Sequence, residues 1–190
     1  SPEKDEPLNV TDSKGNESVL NGYTKISFPR WSCHLLGLRH RCPHGVVVLT
    51  NGFIIIQRRS RTKDVSPGAF DISVGGHIKG NGSYDETIYI EMAEELGFRE
   101  SDISRITEIG IYESNTSIPE KHFYSIEARK VYELKLIDGS FDKIKFLDDE
   151  VAGVYLCLED EAKELLKNDN IASGLKNTLP FYLKWKSSIN

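Results

Sequence analysis

Cysteine is scarce in this chain. Cys33, Cys42 and Cys157 are the only three, an odd count that excludes a closed disulfide framework and fits a reducing compartment. Their expected role is apolar filling of the interior. No apolar run approaches the roughly 18 residues of a membrane-spanning helix, and residues 1–18 are polar and charged, without the hydrophobic stretch of a secretion signal. A cytoplasmic protein with no membrane partner is therefore expected. Basic excess is missing as well: 24 Lys and Arg against 29 Asp and Glu leave a net charge of −5. Binders of nucleic-acid polymers normally carry a basic stripe, so no such partner is expected. Repeats and low-complexity tracts are also lacking.

What is present reads as one ordinary globular chain. Its 190 residues suit one hydrophobic core and are short for two. The expected organisation is a partly ordered N-terminal extension over residues 1–20, then a single domain over 21–190. Cys33, His34, His40, Cys42 and His44 crowd one stretch, yet their spacing lacks a C-x2-C pattern, and Cys42 to Val48 reads as the start of a strand rather than a zinc site.

Gly45–Thr50 and Phe53–Gln57 flank Asn51-Gly52, which predicts a hairpin closed by a type I′ turn, with φ > 0 at both central residues. Further strands are expected over Phe70–Val74, Ile106–Tyr112, His122–Ile126 and Lys130–Ile137. A helix is expected near Glu159–Lys167, and another near Leu179–Trp185 with Pro180 in its first turn. Strands interleaved with helices predict an α/β fold, an α/β/α sandwich around a mixed sheet.

The most informative stretch runs from Gly76 to Phe98. Ser83 with Glu86 three residues later is a capping-box signature, and Gly97 suits the position just past a helix C-terminus, so a helix is expected from about Tyr84 to Gly97. Glu91, Glu94 and Glu95 lie at i, i+3 and i+4 on it, beside an apolar stripe of Ile88, Met92 and Leu96. Three like charges so close call for a compensating cation. Oxygen-only ligands select a hard ion, Mg²⁺ or Mn²⁺.

Anchored on Glu94-Glu95-Leu96-Gly97-Phe98, this stretch resembles the Nudix box, G-x5-E-x7-R-E-U-x-E-E-x-G-U with U a bulky apolar residue. The resemblance implies metal binding by Gly76, Glu91, Glu94 and Glu95, with Glu94 also catalytic. It departs at two positions: the box's first glutamate is Gly82 here and its arginine is Ile90. These two brace the family's loop-helix-loop by a charge pair, and the expected substitute is apolar packing with Ile90 partly buried. The branch resembled most, through Gly37–Arg41, Ile54–Ser60 with Lys63, and Pro67–His77, includes isopentenyl-diphosphate isomerase and its hydrolase relatives.

The resemblance implies a Mg²⁺-dependent or Mn²⁺-dependent hydrolase cleaving a diphosphate linkage in a nucleoside diphosphate derivative or related small molecule, with a homodimer as one admissible assembly. Arg59, Lys63 and His77 are expected at the substrate, the arginine as a bidentate fork and the lysine as a point charge. Glu127 and Glu150 are the candidate general bases. Two alternatives stand beside hydrolysis. One is a non-catalytic nucleotide-binding module, suggested by Gly82 and Ile90. The other is isomerisation, since Arg59, Lys63, His40, His77 and Glu127 resemble positions that isomerases use for diphosphate and metal. Against it, Gly75 stands where an isomerase presents its catalytic cysteine.

Overall fold

The computed structural model describes residues 2–190. In chain order the first strands are β1 (Pro7–Asn9), β2 (Val19–Leu20), β3 (Thr24–Lys25) and β4 (Ser27–Pro29), followed by helix α1 (Arg30–Leu36). Then come β5 (His40–Val48), β6 (Ile54–Arg59), β7 (Phe70–Asp71), β8 (Val74–Gly75) and helix α2 (Tyr84–Leu96). The remainder is β9 (Ile103–Ile118), β10 (Phe123–Leu136), β11 (Val151–Cys157), α3 (Glu159–Leu165) and α4 (Leu179–Ser188). A seven-stranded sheet has the order β11-β6-β5-β10-β9, with β7 paired to β6 and β8 to β5. The class is α/β with a mixed sheet, as the sequence leads one to expect. Among the described residues no helix is long and apolar enough to cross a membrane.

Local chemistry explains where the elements depart from the sequence pattern. The β5–β6 hairpin forms, but only Gly52 has positive φ, 91°, and Asn51 does not. Asn51 instead uses its side-chain oxygen to accept the Phe53 N–H at 3.3 Å. Leu49 N–H donates to the Phe53 carbonyl at 2.9 Å, which makes a three-residue loop with glycine in the left-handed position in place of a type I′ turn. The strand expected over Phe70–Val74 is split into β7 and β8. Between them the Ser73 hydroxyl accepts the Val47 N–H at 2.9 Å and donates to the Ile55 carbonyl, standing in for ladder bonds. Conversely, the two strands expected around His122–Ile126 and Lys130–Ile137 are one, β10. Glu127 and Arg129, two apart and so on one face of the strand, are joined by an ion pair at 2.8 Å, and strand geometry continues between the two expected strands.

By internal contacts the chain forms two compact units. The first comprises residues up to Pro43 with Gly76–Thr87 and Gly110–Lys130. Here β1 pairs antiparallel with β4, Leu8 opposite Phe28. Leu8 is fully buried, and the Pro7 carbonyl accepts the Gly80 N–H at 2.7 Å, so this early strand is tied down on both sides. Ser83 caps α2 as its sequence implies, its hydroxyl accepting the Glu86 N–H at 3.1 Å.

The second unit comprises His44–Gly75, Ile88–Ile109 and Val131–Asn190. The α2 residues Ile88, Met92 and Leu96 are fully buried in it, each contributing roughly 2 kcal/mol by removal of apolar surface from water. Gly45 permits that close approach, because a Cβ there would fall 2.7 Å from both Leu134 and Val74 and 3.1 Å from Ile88. α2 stops at Gly97, whose φ of 77° suits the left-handed position. A Cβ at Gly97 would meet the Lys145 carbonyl at 2.6 Å. The Leu96 and Glu94 carbonyls are then satisfied by the N–H groups of Lys145 and Leu147. Ile90 corrects the sequence reading. It is 53% exposed, because the buried stripe of α2 is already filled by its neighbours, so no apolar packing takes the place of a brace there.

Candidate metal and catalytic site

The second unit gathers three carboxylates. One oxygen from each of Glu91, Glu95 and Glu150 lies within 4.8 Å of the others. Glu91 and Glu95, one helical turn apart on α2, are both buried, and Glu150 is half-buried just ahead of β11. The Gly75 N–H, at the end of β8, donates to Glu95 Oε2 at 3.1 Å and fixes its orientation. Burial holds the Glu95 carboxyl well above the usual carboxylate range, and the negative charge of Glu91 adds to the effect. A buried acid beside two others is costly without a cation. Three oxygen donors at this spacing fit a hard divalent ion. Glu94, by contrast, is exposed and is not one of the three.

The two basic residues named from sequence lie in the same unit, in different settings. Lys63 Nζ donates to Glu150 Oε1 at 2.9 Å. Arg59 is engaged by its own loop: Nη2 donates to the Val65 carbonyl at 2.8 Å and Nε to the Ser66 carbonyl at 3.2 Å. Its Nη1 pairs with Asp71 at 3.2 Å. Those bonds hold Ser66 at a φ of 49°, a left-handed conformation that a non-glycine residue keeps only where its surroundings fix it.

His77, Gly76 and Glu127 belong to the first unit. Arg129 donates to Glu127 Oε1 through Nε at 3.0 Å and Nη2 at 2.8 Å. His77 Nε2 stands 3.8 Å from Glu127 Oε2. The Gly76 N–H faces the Pro43 carbonyl at 3.4 Å. His34, His40 and His77 pack together with ring centroids 5.0 to 5.4 Å apart, and one ring nitrogen from each lies within 4.8 Å of the others. His40 Nδ1 is 2.8 Å from the Leu38 carbonyl. A carbonyl only accepts, so Nδ1 carries the proton and Nε2 keeps its lone pair. The Nε2 atoms of His34 and His40 are buried without a hydrogen-bond partner among the described residues. Burial lowers the pKa of all three rings, that of His34 to about 4. No sequence motif marks His34 as a site residue. The signal available was its place in the crowded His/Cys stretch.

Gly75 is filled space rather than a gap. A Cβ there would meet the His44 ring at 2.9 Å and 3.0 Å, and that ring is fixed by a 2.8 Å hydrogen bond between Nδ1 and the Thr178 hydroxyl.

No family model matches the chain. An uncharacterized Nudix hydrolase of Clostridium acetobutylicum is 30% identical over 145 residues, which cover 66% of this chain and 69% of that protein. One of Streptomyces coelicolor is 36% identical over 93 residues, covering 49% of this chain and 48% of its own length. The chain therefore spans about half the length of the Streptomyces relative and about two thirds of the Clostridium one. Among solved structures, the Deinococcus radiodurans protein DR0079 matches with a TM-score of 0.66 at 20% identity, over 92% of this chain and 98% of that one. At that identity the likeness speaks for the fold.

Proposed function

The chain belongs to the Nudix hydrolase family, and from that premise we propose that it hydrolyses a diphosphate linkage in a nucleoside diphosphate derivative or related small molecule, with Mg²⁺ or Mn²⁺ held by Glu91, Glu95 and Glu150. The convergence of these three carboxylates within 4.8 Å carries the proposal. A bound divalent ion polarises a diphosphate and makes water a stronger nucleophile. The Gly75 N–H aims Glu95, and the pairing of two buried glutamates with half-buried Glu150 gives a site with one solvent-facing side. Glu150 is favoured over Glu127 as general base, because it stands among the gathered carboxylates and meets Lys63 by a single bond, whereas two bonds from the Arg129 guanidinium hold Glu127. Exposed Glu94 would serve a further ion or the substrate. Arg59 organises the loop that carries Lys63, and Lys63 meets the phosphates as a point charge.

The test is turnover of a panel of nucleoside diphosphate derivatives with and without Mg²⁺ and Mn²⁺, using Glu95→Gln as the control. Metal-dependent cleavage that the control abolishes supports the reading. Cleavage indifferent to both metal and Glu95 refutes it.

The histidine cluster supports a second reading for the first unit. Two buried imidazole nitrogens without hydrogen-bond partners among the described residues, one of them the His40 lone pair, suit a borderline transition metal, so His34, His40 and His77 would hold one, as the resemblance to isomerases implies for His40 and His77. Proton transfer across an alkene finds no acid at position 75, where the His44 ring occupies the space a side chain would need. Titration with Co²⁺ should give visible ligand-field absorption that His40→Asn removes. An identical spectrum in that variant counts against the histidine centre.

A further inference from the structure

Lys63 and Glu150 are brought together by backbone as well as by charge. The Ser60 N–H donates to the Glu150 carbonyl at 2.8 Å, and the Lys63 N–H reaches back to the Ser60 carbonyl at 3.3 Å. Arg59 pins the far side of the same loop through Val65, Ser66 and Asp71. The loop thus delivers one ammonium to one of the three gathered carboxylates, with the Lys63 side chain only 21% exposed.

We infer that Lys63 is a built-in competitor of the metal: its ammonium holds Glu150 until a divalent ion takes that carboxylate, and is then released toward the phosphates of the substrate. The inference rests on the divalent-ion reading of Glu91, Glu95 and Glu150. An ion bound to these oxygens at about 2.0–2.6 Å sits within roughly 5 Å of an ammonium that is itself 2.9 Å from Glu150. At that range two cations in a partly buried site repel strongly. A diphosphate supplies fresh negative charge beside the ion, and the displaced ammonium is released toward it. Lys63 therefore raises the metal concentration that the free protein requires, and couples full occupancy of the metal to arrival of the substrate.

Mn²⁺ binding, measured by the electron paramagnetic resonance signal of the free ion, tests this without any turnover. Lys63→Met keeps the length of the side chain and removes its charge, and should bind Mn²⁺ about tenfold more tightly than the parent. Lys63→Arg keeps the charge and should bind as the parent does. In the parent protein, acetylation of Lys63 by an N-hydroxysuccinimide ester, read by mass spectrometry, should rise several-fold when Mn²⁺ is added. A steadying role for Lys63 predicts the reverse, weaker Mn²⁺ binding in Lys63→Met and no change in labelling, and either result overturns the inference. Binding by the parent with unchanged affinity in Lys63→Met overturns the inference alone. Absence of Mn²⁺ binding in parent and variants alike fails the metal reading, and this inference with it.

Discussion

Replacing Glu95 with glutamine separates the electrostatic role of this residue from its place in the fold. The amide oxygen can still accept the Gly75 N–H that now reaches Oε2 at 3.1 Å, and the volume is unchanged, so little packing is lost. What disappears is a charge whose neighbours lie within 4.8 Å. At an effective dielectric near 20, a pair of unit charges at that separation interacts by about 3 kcal/mol. Relief of repulsion from Glu91 and Glu150 should leave the metal-free variant at least as stable as the parent. A divalent ion loses an attraction at least as large, which corresponds to two or more decades in affinity. The pH dependence sharpens the test. Because the Glu95 carboxyl is held above its ordinary range by burial and by Glu91, its protonated form contributes stability at low pH that is lost as pH rises through the folded-state value. An ion must displace that proton, so metal affinity of the parent should climb with pH over the same interval, and the glutamine variant should lack this climb. Calorimetric titration with Mn²⁺ in buffers of different ionisation enthalpy reads affinity and proton release together. A Glu95→Gln protein with parental affinity, parental proton release and parental turnover would refute the assignment.

Two further expectations follow from burial. Ile90→Arg should change unfolding free energy by no more than about 0.5 kcal/mol, as for other surface substitutions, because Ile90 is 53% exposed; urea denaturation showing a loss of several kcal/mol would mean that the side chain is needed where it is. The metal-free protein should lose stability from about pH 6.5 downward, above the range of ordinary carboxylates, since His34 is held neutral by burial and by its neighbours His40 and Arg30 down to about 4. The sign follows from a depressed folded-state pKa: the contribution is complete above the unfolded value and vanishes as pH falls through the folded one. Glu95 contributes with the opposite sign, so the test is the difference: the melting point of His34→Gln should rise relative to the parent as pH falls from about 6.5 to about 5, and a constant difference across that window contradicts the account.

The helix of the site was legible because its signals are local. Ser83, the Ile88–Met92–Leu96 stripe and Gly97 each act within a few residues, and the observed bounds of α2, Tyr84–Leu96, follow them closely. Strand continuity was less legible. Glu127 and Arg129 fall between two expected strands, and an ion pair on one face of β10 satisfies both within one strand, while the break at Ser73 depends on partners about twenty residues back in the chain, Val47 and Ile55. The turn at Asn51-Gly52 shows the same limit on a smaller scale, since a side-chain hydrogen bond to Phe53 decides between two turns that the dipeptide alone allows.

The acidic trio shows where a spacing rule is too coarse. Residues i, i+3 and i+4 share a broad stripe, but at about 100° per residue Glu95 lies roughly 40° to one side of Glu91 and Glu94 roughly 60° to the other. Adjacent glutamates are thus about 100° apart, and a sheet covering one flank of the helix buries one and leaves the other in water. That is the observed outcome, with Glu95 buried and Glu94 exposed. The third carboxylate comes from Glu150, more than fifty residues on in the chain. Its position follows from strand register: Val151 pairs with Arg59 across β11 and β6, which sets Glu150 beside Ser60 and within reach of Lys63. On the proposed metal reading, two acids from one helix and a third from a strand end would reach a common ion from two elements, and so from more than one direction.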